Sequence, residues 1–302
     1  MQARDLFLAL LMVAIWGASF SVIKVALADA PPLLLSALRF FMVAFPWVFL
    51  VPRPKTHFMN VVAVGVLLGV LKFTFLFLAL DGNIDAGVAA IVVQAQVFLT
   101  VMFSAVFFRE RVRALQWTGM GLAAIGLAMF VFSKGGGASP LGIALIFGTA
   151  LSWTGANLVF KRMGAVNMVS VMVWASLIPP PLLLALSLLF EGAAPLATIA
   201  DISLRGWVLI VFLAYGATLI CYAIWARLLK RYPAGAAAPV ALAIPVFGVA
   251  VAALFLSERL THLEVAAAAL VMAGLTVSVA GEKLLARMRQ AGAPGLIHGK
   301  RE

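Results

Sequence analysis

Lys72 stands well inside an apolar run between Phe58 and Leu80, and it is the residue most in need of a chemical explanation. An ammonium at the centre of a bilayer costs about 2.5 to 3.5 kcal/mol on insertion scales. Two arrangements offset that cost. In one, Lys72 faces a cavity and attracts the carboxylate of a substrate; in the other, it is held by helix carbonyls or snorkels from a tilted helix. The other polar groups at this depth are Lys24, Arg39, Gln94, Gln96, Asn157 and the hydroxyls of Tyr215 and Tyr222. Arg39 and Lys24 lie nearer the ends of their runs, where pairing with Asp29, Asp81 or backbone carbonyls is the expectation. No carboxylate is among these groups: all eleven acids fall in connections, tails or terminal turns. His57, His262 and His298 also sit at or beyond run ends, so a proton relay built on buried acids or histidines is disfavoured. Cys221 is the single cysteine, which rules out a disulfide within the chain and leaves no metal-ligand cluster. Neither metal nor cofactor is expected. An intramembrane enzyme is disfavoured too, since it would call for an acidic metal cluster or a nucleophile with its base.

Aromatic residues divide by depth. Trp47, Trp117 and Trp207 fall near run ends, where the interfacial belt accounts for them. Trp16 and Trp153 lie near mid-run. Helical spacing puts Ser19, Phe20 and Ile23 on the face of Trp16, and Ala156, Asn157 and Phe160 on that of Trp153. Tyr215, Thr218 and Tyr222 share another face, as do Gln94 and Phe98. Ordinary helix packing explains any one of these faces. Together they outline a substrate site of Trp16, Phe20, Lys72, Gln94, Phe98, Trp153, Asn157, Tyr215 and Tyr222. Such a lining suits an amphiphilic solute, with an apolar body against rings, an ammonium over Trp or Tyr faces and a carboxylate near Lys72 or the amides.

The elements that position these residues follow from composition. With 65% hydrophobic residues, 11% charged and a mean hydropathy of +1.13, the chain is an integral membrane protein. Ten runs are long enough to span: about 6–28, 31–51, 58–80, 86–108, 114–133, 140–160, 168–190, 206–226, 233–256 and 263–281. They are continuous rather than alternating, which excludes a β-barrel. Arg4, an apolar run and Ala26-Leu27-Ala28 imitate a cleavable leader, but the run is too long for one. The net charge of +11 follows the membrane instead of signalling nucleic acid. Sixteen Lys and Arg fall on the side of both termini against three on the other, placing the termini in the cytoplasm of an inner (plasma) membrane. The expected partners are surrounding lipid and a small-molecule substrate, with monomer and homodimer both open.

Residues 85–112 return in diverged form at 233–260, matching at 11 of 28 ungapped positions. Ala86-Gly87 and Glu110-Arg111 recur as Ala234-Gly235 and Glu258-Arg259, while Trp16 and Lys24 echo in Trp153 and Lys161. Five spans per copy invert the second relative to the first, the architecture of alternating-access carriers. The predicted fold is all-α: two inverted five-helix repeats, 1–134 and 139–285, around a central cavity, with a flexible cytoplasmic tail from 286 to 302. Pro239 and Pro245 are expected hinges in span nine. The first copy has no proline there, so the second half is expected to be the more bendable.

The motifs WGASFSVIKV from Trp16, LRF at 38–40, AFP at 44–46, RPK at 53–55, QAQ at 94–96 and Glu110-Arg111 follow one another through the first half. Ser152-Trp153, Asn157, Tyr222, Ile224-Trp225, Pro239, Pro245-Val246 and Glu258-Arg259-Leu260 follow in the second. In this order they resemble the EamA branch of the drug/metabolite transporter superfamily. The likeness is nearest to bacterial inner-membrane amino-acid exporters of the cysteine and O-acetylserine group, with aromatic amino-acid exporters more distant. The resemblance implies a ten-helix basket around a central cavity and export of amino acids or related metabolites. Exporters of hydrophobic drugs or nucleotide-linked sugars are the alternative within that superfamily, and a passive channel stands behind both.

Overall fold

Inside a bilayer no water is available to backbone N–H and C=O groups, so an apolar run must close its own hydrogen bonds, and helices do so. The computed structural model of the protein describes residues 2–109, 112–132, 137–192, 195–232, 240–241 and 243–291. Among the described residues every regular element is a helix; the one β-type pairing is a single bridge between Ile84 and Ala138. Seven described helices are long and apolar enough to cross a membrane: α1 (Ala3–Ala26), α2 (Pro32–Phe49), α3 (Phe58–Leu80), α4 (Ala86–Phe108), α6 (Pro140–Met163), α7 (Met168–Phe190) and α8 (Leu204–Leu228). Between and after them lie α5 (Ala114–Phe132), α9 (Ile244–Leu256) and α10 (His262–Ala291), whose apolar stretches are shorter. Phe7, Phe49, Leu204 and Phe255 point outward, as lipid-facing side chains do.

Several helices are interrupted, and three of the interruptions carry residues that line the cavity. The Val93–Gln94 pair forms a turn that splits α4 into Ala86–Val92 and Ala95–Phe108. This break occurs without a proline, so a proline is not needed to interrupt a helix of this bundle. Pro245 lies in the first turn of α9, where its missing N–H costs no hydrogen bond, rather than inside a helix. Pro239 lies outside the described residues. Two further helices loosen at mid-length: Gly65–Lys72 of α3 and Phe212–Ile220 of α8 are wound as π-helix. Wider winding is uncommon and concentrates at functional sites. At the other end of the chain α10 runs to Ala291, past the expected span end near 281 and into the first residues of the expected tail. Leu284, Leu285, Arg287, Met288 and Arg289 are strong helix formers, which accounts for the extension.

Packing relies on missing side chains. The most extensive helix pair is α5 with α10, which otherwise touch the remaining helices little. Their backbones meet at Gly119 against Gly274 and at Gly126 against Ala267 and Val271. Near the cavity, α1 meets α9 at Gly17, where a Cβ would come within 2.7 Å of Gly248 N and Ile244 O. Gly248 in turn lies against Ala90 of α4. Gly65 and Gly69 bring α3 up to Ala175, Ile178 and Pro179 of α7. These close approaches are the usual substitute for hydrophobic driving force between membrane helices.

Helix ends on one face of the molecule are capped by other helices. Glu258, just past α9, accepts from the N–H groups of Ala86 (3.0 Å) and Gly87 (2.9 Å) at the start of α4. Glu191, just past α7, accepts likewise from Leu33 and Leu34 at the start of α2. Each carboxylate satisfies orphan donors and complements the helix dipole.

Candidate functional site

Two connected chambers lie at the centre of the bundle. The narrower, about 50 Å³, sits between α1, α2, α3, α6 and α8; the wider, about 220 Å³, extends from it toward α6, α8 and the segment before α9. Trp16, Gln94, Trp153, Tyr222 and Ile244 line both. One probe sphere of about 10 to 15 Å³ holds a water, so the narrow chamber accepts only a small group while the wide one accepts the body of a small solute.

Trp16 is fixed from two directions. Its Nε1 donates to the carbonyl of Ala217 at 2.9 Å, and its ring meets Tyr222 edge-on at 5.7 Å. The acceptor lies in the π-wound stretch of α8, where Thr218 Oγ1 also donates to the carbonyl of Leu213 at 3.0 Å. Across the cavity the break in α4 turns Gln94 inward, 3% exposed. The carbonyl of Gln96 accepts from Thr154 Oγ1 at 3.2 Å, and its side chain accepts from Asn157 Nδ2 at 3.0 Å. Asn157 also donates to Thr100 Oγ1 at 3.2 Å. Two amides are thereby held on the wall of the wide chamber.

Positive charge gathers in the narrow chamber. Lys72 closes the π-helical stretch of α3 and places its Nζ 3.8 Å from the Trp153 ring centroid and 4.3 Å from that of Phe73. Arg39 faces the same chamber, its Cζ 4.0 Å over Phe73 and its Nη2 donating to Thr218 Oγ1 at 2.9 Å. Arg39 was expected to pair structurally with Asp29, Asp81 or backbone carbonyls; it instead lines the cavity. A signal for this lay in counting. Arg39 is seven residues past Pro32 and Lys72 eight before Leu80, so both sit about 11 Å below the same face at 1.5 Å per residue.

Of the other expected site residues, Phe20, Trp153 and Tyr222 line the chambers with Trp16, Lys72, Gln94 and Asn157. Phe98 and Tyr215 do not. Phe98 lines a separate apolar groove with Trp117 and Met120, and Tyr215 packs edge-on against Trp47 at 6.2 Å. A one-residue error in helical phase is enough to cause such misplacement, and the turn at Val93–Gln94 and the π-winding of α8 each introduce one. Thr218, expected on the face of Tyr215 and Tyr222, also lines the narrow chamber, and Phe73 and Trp225 line the chambers without having been expected to.

Ion pairs flank the cavity at both ends of α1. Lys24 Nζ lies 2.7 Å from Asp85 Oδ1 and 2.8 Å from Glu258 Oε1, not near the expected Asp29 or Asp81. At the opposite end Asp5, fully buried, accepts from Arg227 Nε (3.3 Å), Arg231 Nη1 (3.0 Å) and Tyr232 Oη (2.9 Å).

The pattern of the EamA-like transporter family matches residues 4–132 and again 140–280. The chain belongs to that family. It is a multi-pass membrane transporter, not an enzyme. It is 38% identical over 288 residues to a "Probable amino-acid metabolite efflux pump" of Escherichia coli K12, covering 93% of this chain and 96% of that protein. The Salmonella typhimurium protein of the same description is 38% identical, with 97% of this chain and 100% of the other covered. A more distant relative, 26% identical over 94% of this chain and 93% of its own length, is the "Uncharacterized inner membrane transporter YedA" of E. coli K12. A solved crystal structure 21% identical in sequence superposes with a TM-score of 0.64, covering 96% of this chain and all of that one, which supports the transporter's fold.

Proposed function

We propose that this transporter exports amino acids or related small metabolites, by rocking two inverted five-helix halves (1–134 and 139–285) around the central cavity. The observation that carries the proposal is the cavity itself, walled by Trp16 of one half and Trp153 of the other with amides and cations between. Contact symmetry supports the inverted pairing. The repeat offset of 148 relates Gly126 to Gly274 and Gly119 to Ala267, so the contact of Gly126 with Ala267 has its counterpart in that of Gly274 with Gly119. Likewise α1 packs on α9 as α6 packs on α4, and both α3 and α8 carry the π-wound stretch. A pseudo-two-fold of this kind lets one set of contacts close either side of a fixed site.

Export of metabolites fits the printed description of the relatives, and an inner membrane with both termini in the cytoplasm fits the distribution of Lys and Arg. Hydrophobic cationic drugs fit poorly, because Arg39 and Lys72 would repel them. Counterflow of labelled neutral amino acids in proteoliposomes tests the reading. We expect saturable exchange for several of them; no uptake of any would refute the substrate assignment, and unsaturable flux would indicate a channel.

A further inference from the structure

The cavity holds more positive charge than a zwitterionic solute calls for. Arg39 and Lys72 come from consecutive helices, are 4% and 7% exposed, and share the ring of Phe73. Among the described residues neither has a carboxylate partner. Arg39 spends one donor on Thr218, while its Nε and Nη1 are buried with no acceptor among the described residues. Buried donors are almost always satisfied, and a buried cation without a counter-charge is among the costliest arrangements a fold can keep. The rings of Phe73 and Trp153, which a ligand's ammonium would otherwise use, are already engaged by these two side chains. Trp16 and Tyr222 are turned edge-to-face on each other.

We propose that Arg39 and Lys72 form a two-cation subsite that takes a substrate's carboxylate in the narrow chamber. The rest of the solute then extends into the wide chamber beside Gln96 and Asn157. The inference rests on the carrier reading for the nature of the solute and adds the recognised group: the carboxylate is required and the ammonium is not. Two positive charges facing one carboxylate leave a surplus, so a solute of net negative charge, such as an N-acylated amino acid or a dicarboxylate, binds more tightly than a zwitterion. A carboxyl ester carries only the ammonium and is rejected.

The test uses the purified full-length protein and reads thermal unfolding during titration with three probes: a neutral amino acid, its N-acetyl derivative and its methyl ester. The expected result is stabilisation in the order N-acetyl acid, free acid, ester, with the ester inert. Arg39→Gln and Lys72→Gln should each weaken the acids by roughly tenfold or more, and Arg39→Lys should recover part of the loss. Equal stabilisation by acid and ester overturns the proposal, as does wild-type acid binding in Arg39→Gln or no shift with any carboxylate. Sodium chloride acting as well as the acids at equal concentration would make the site a halide site and also overturn it. Should Arg39→Gln fail to fold, the acid-against-ester comparison on the unaltered protein still decides. Counterflow separates this inference from the carrier reading. Binding that depends on Arg39 without any counterflow leaves the subsite standing and removes the carrier function; counterflow equal for acid and ester does the reverse.

Discussion

Trp153 does two things for the cavity, walling both chambers and presenting its ring to Lys72 at 3.8 Å. Replacing it with alanine removes a cation–π contact worth about 0.5 to 2 kcal/mol. We expect Trp153→Ala to cut amino-acid counterflow by roughly 2- to 30-fold, with the protein still folded by size-exclusion and thermal unfolding. Trp16→Ala should lose transport similarly, since it frees the Ala217 carbonyl and unseats Tyr222. Asn157→Ala strands the Gln96 amide and the Thr100 hydroxyl, a cost of about 1 to 3 kcal/mol. Unchanged transport in all three variants would place the substrate elsewhere. At this scale the sequence was informative wherever a polar or aromatic residue sat at mid-depth, as Trp16, Trp153, Lys72 and Asn157 do. Arg39 was harder to read, because snorkelling near a helix end and facing a cavity from a helix end look alike unless its depth is counted against that of Lys72 on the neighbouring helix. Phe98 and Tyr215 fall outside the two chambers for a related reason: a regular 3.6-residue spacing does not carry across backbone that is not regular.

Helix contacts are the next level, and glycines decide them. At Gly17 a methyl group would meet the backbone of Ile244 and Gly248, neither of which is free to move aside. Gly17→Ala should therefore destabilise by about 1 to 3 kcal/mol through overpacking of α1 on α9. Gly121→Ala is the matched comparison, since nothing among the described residues lies within 4 Å of the added atom. It should be neutral or slightly stabilising, as alanine favours helix over glycine. Equal midpoints for the two variants in thermal unfolding would refute the close-packing argument. Hydropathy was sufficient to outline these helices because each run had to satisfy its own backbone. It could not reveal the break in α4, whose Val93–Gln94 turn has no proline to mark it, nor the π-wound stretches of α3 and α8. Those depend on which side chains meet across helices, and in both π-wound helices residues of the stretch line the cavity: Leu68 and Lys72 in one, Ala217 and Thr218 in the other.

For the molecule as a whole, the orientation set by Lys and Arg predicts that reporters fused to either terminus behave as cytoplasmic, while one inserted between Asp81 and Asp85 behaves as external. A terminal reporter active outside the cell would overturn that topology. The all-helical membrane plan was more legible than its details, because hydropathy is a property of long stretches and tolerates local errors of phase. The cap on α4 ties these scales together in time. Glu258 lies 172 residues beyond the Ala86 N–H it satisfies. At about 5 to 20 residues per second of synthesis, the first turn of α4 waits roughly 10 to 30 s for its acceptor to be made. The first half emerges from the ribosome unfinished, its helix ends dependent on groups not yet translated. Separately expressed halves should accordingly be degraded alone and rescued by co-expression, and Glu258→Gln, which weakens the join between them, should impair rescue of the split protein more than it impairs accumulation of the intact chain. Rescue that is indifferent to Glu258 would show that other contacts suffice to bring the halves together.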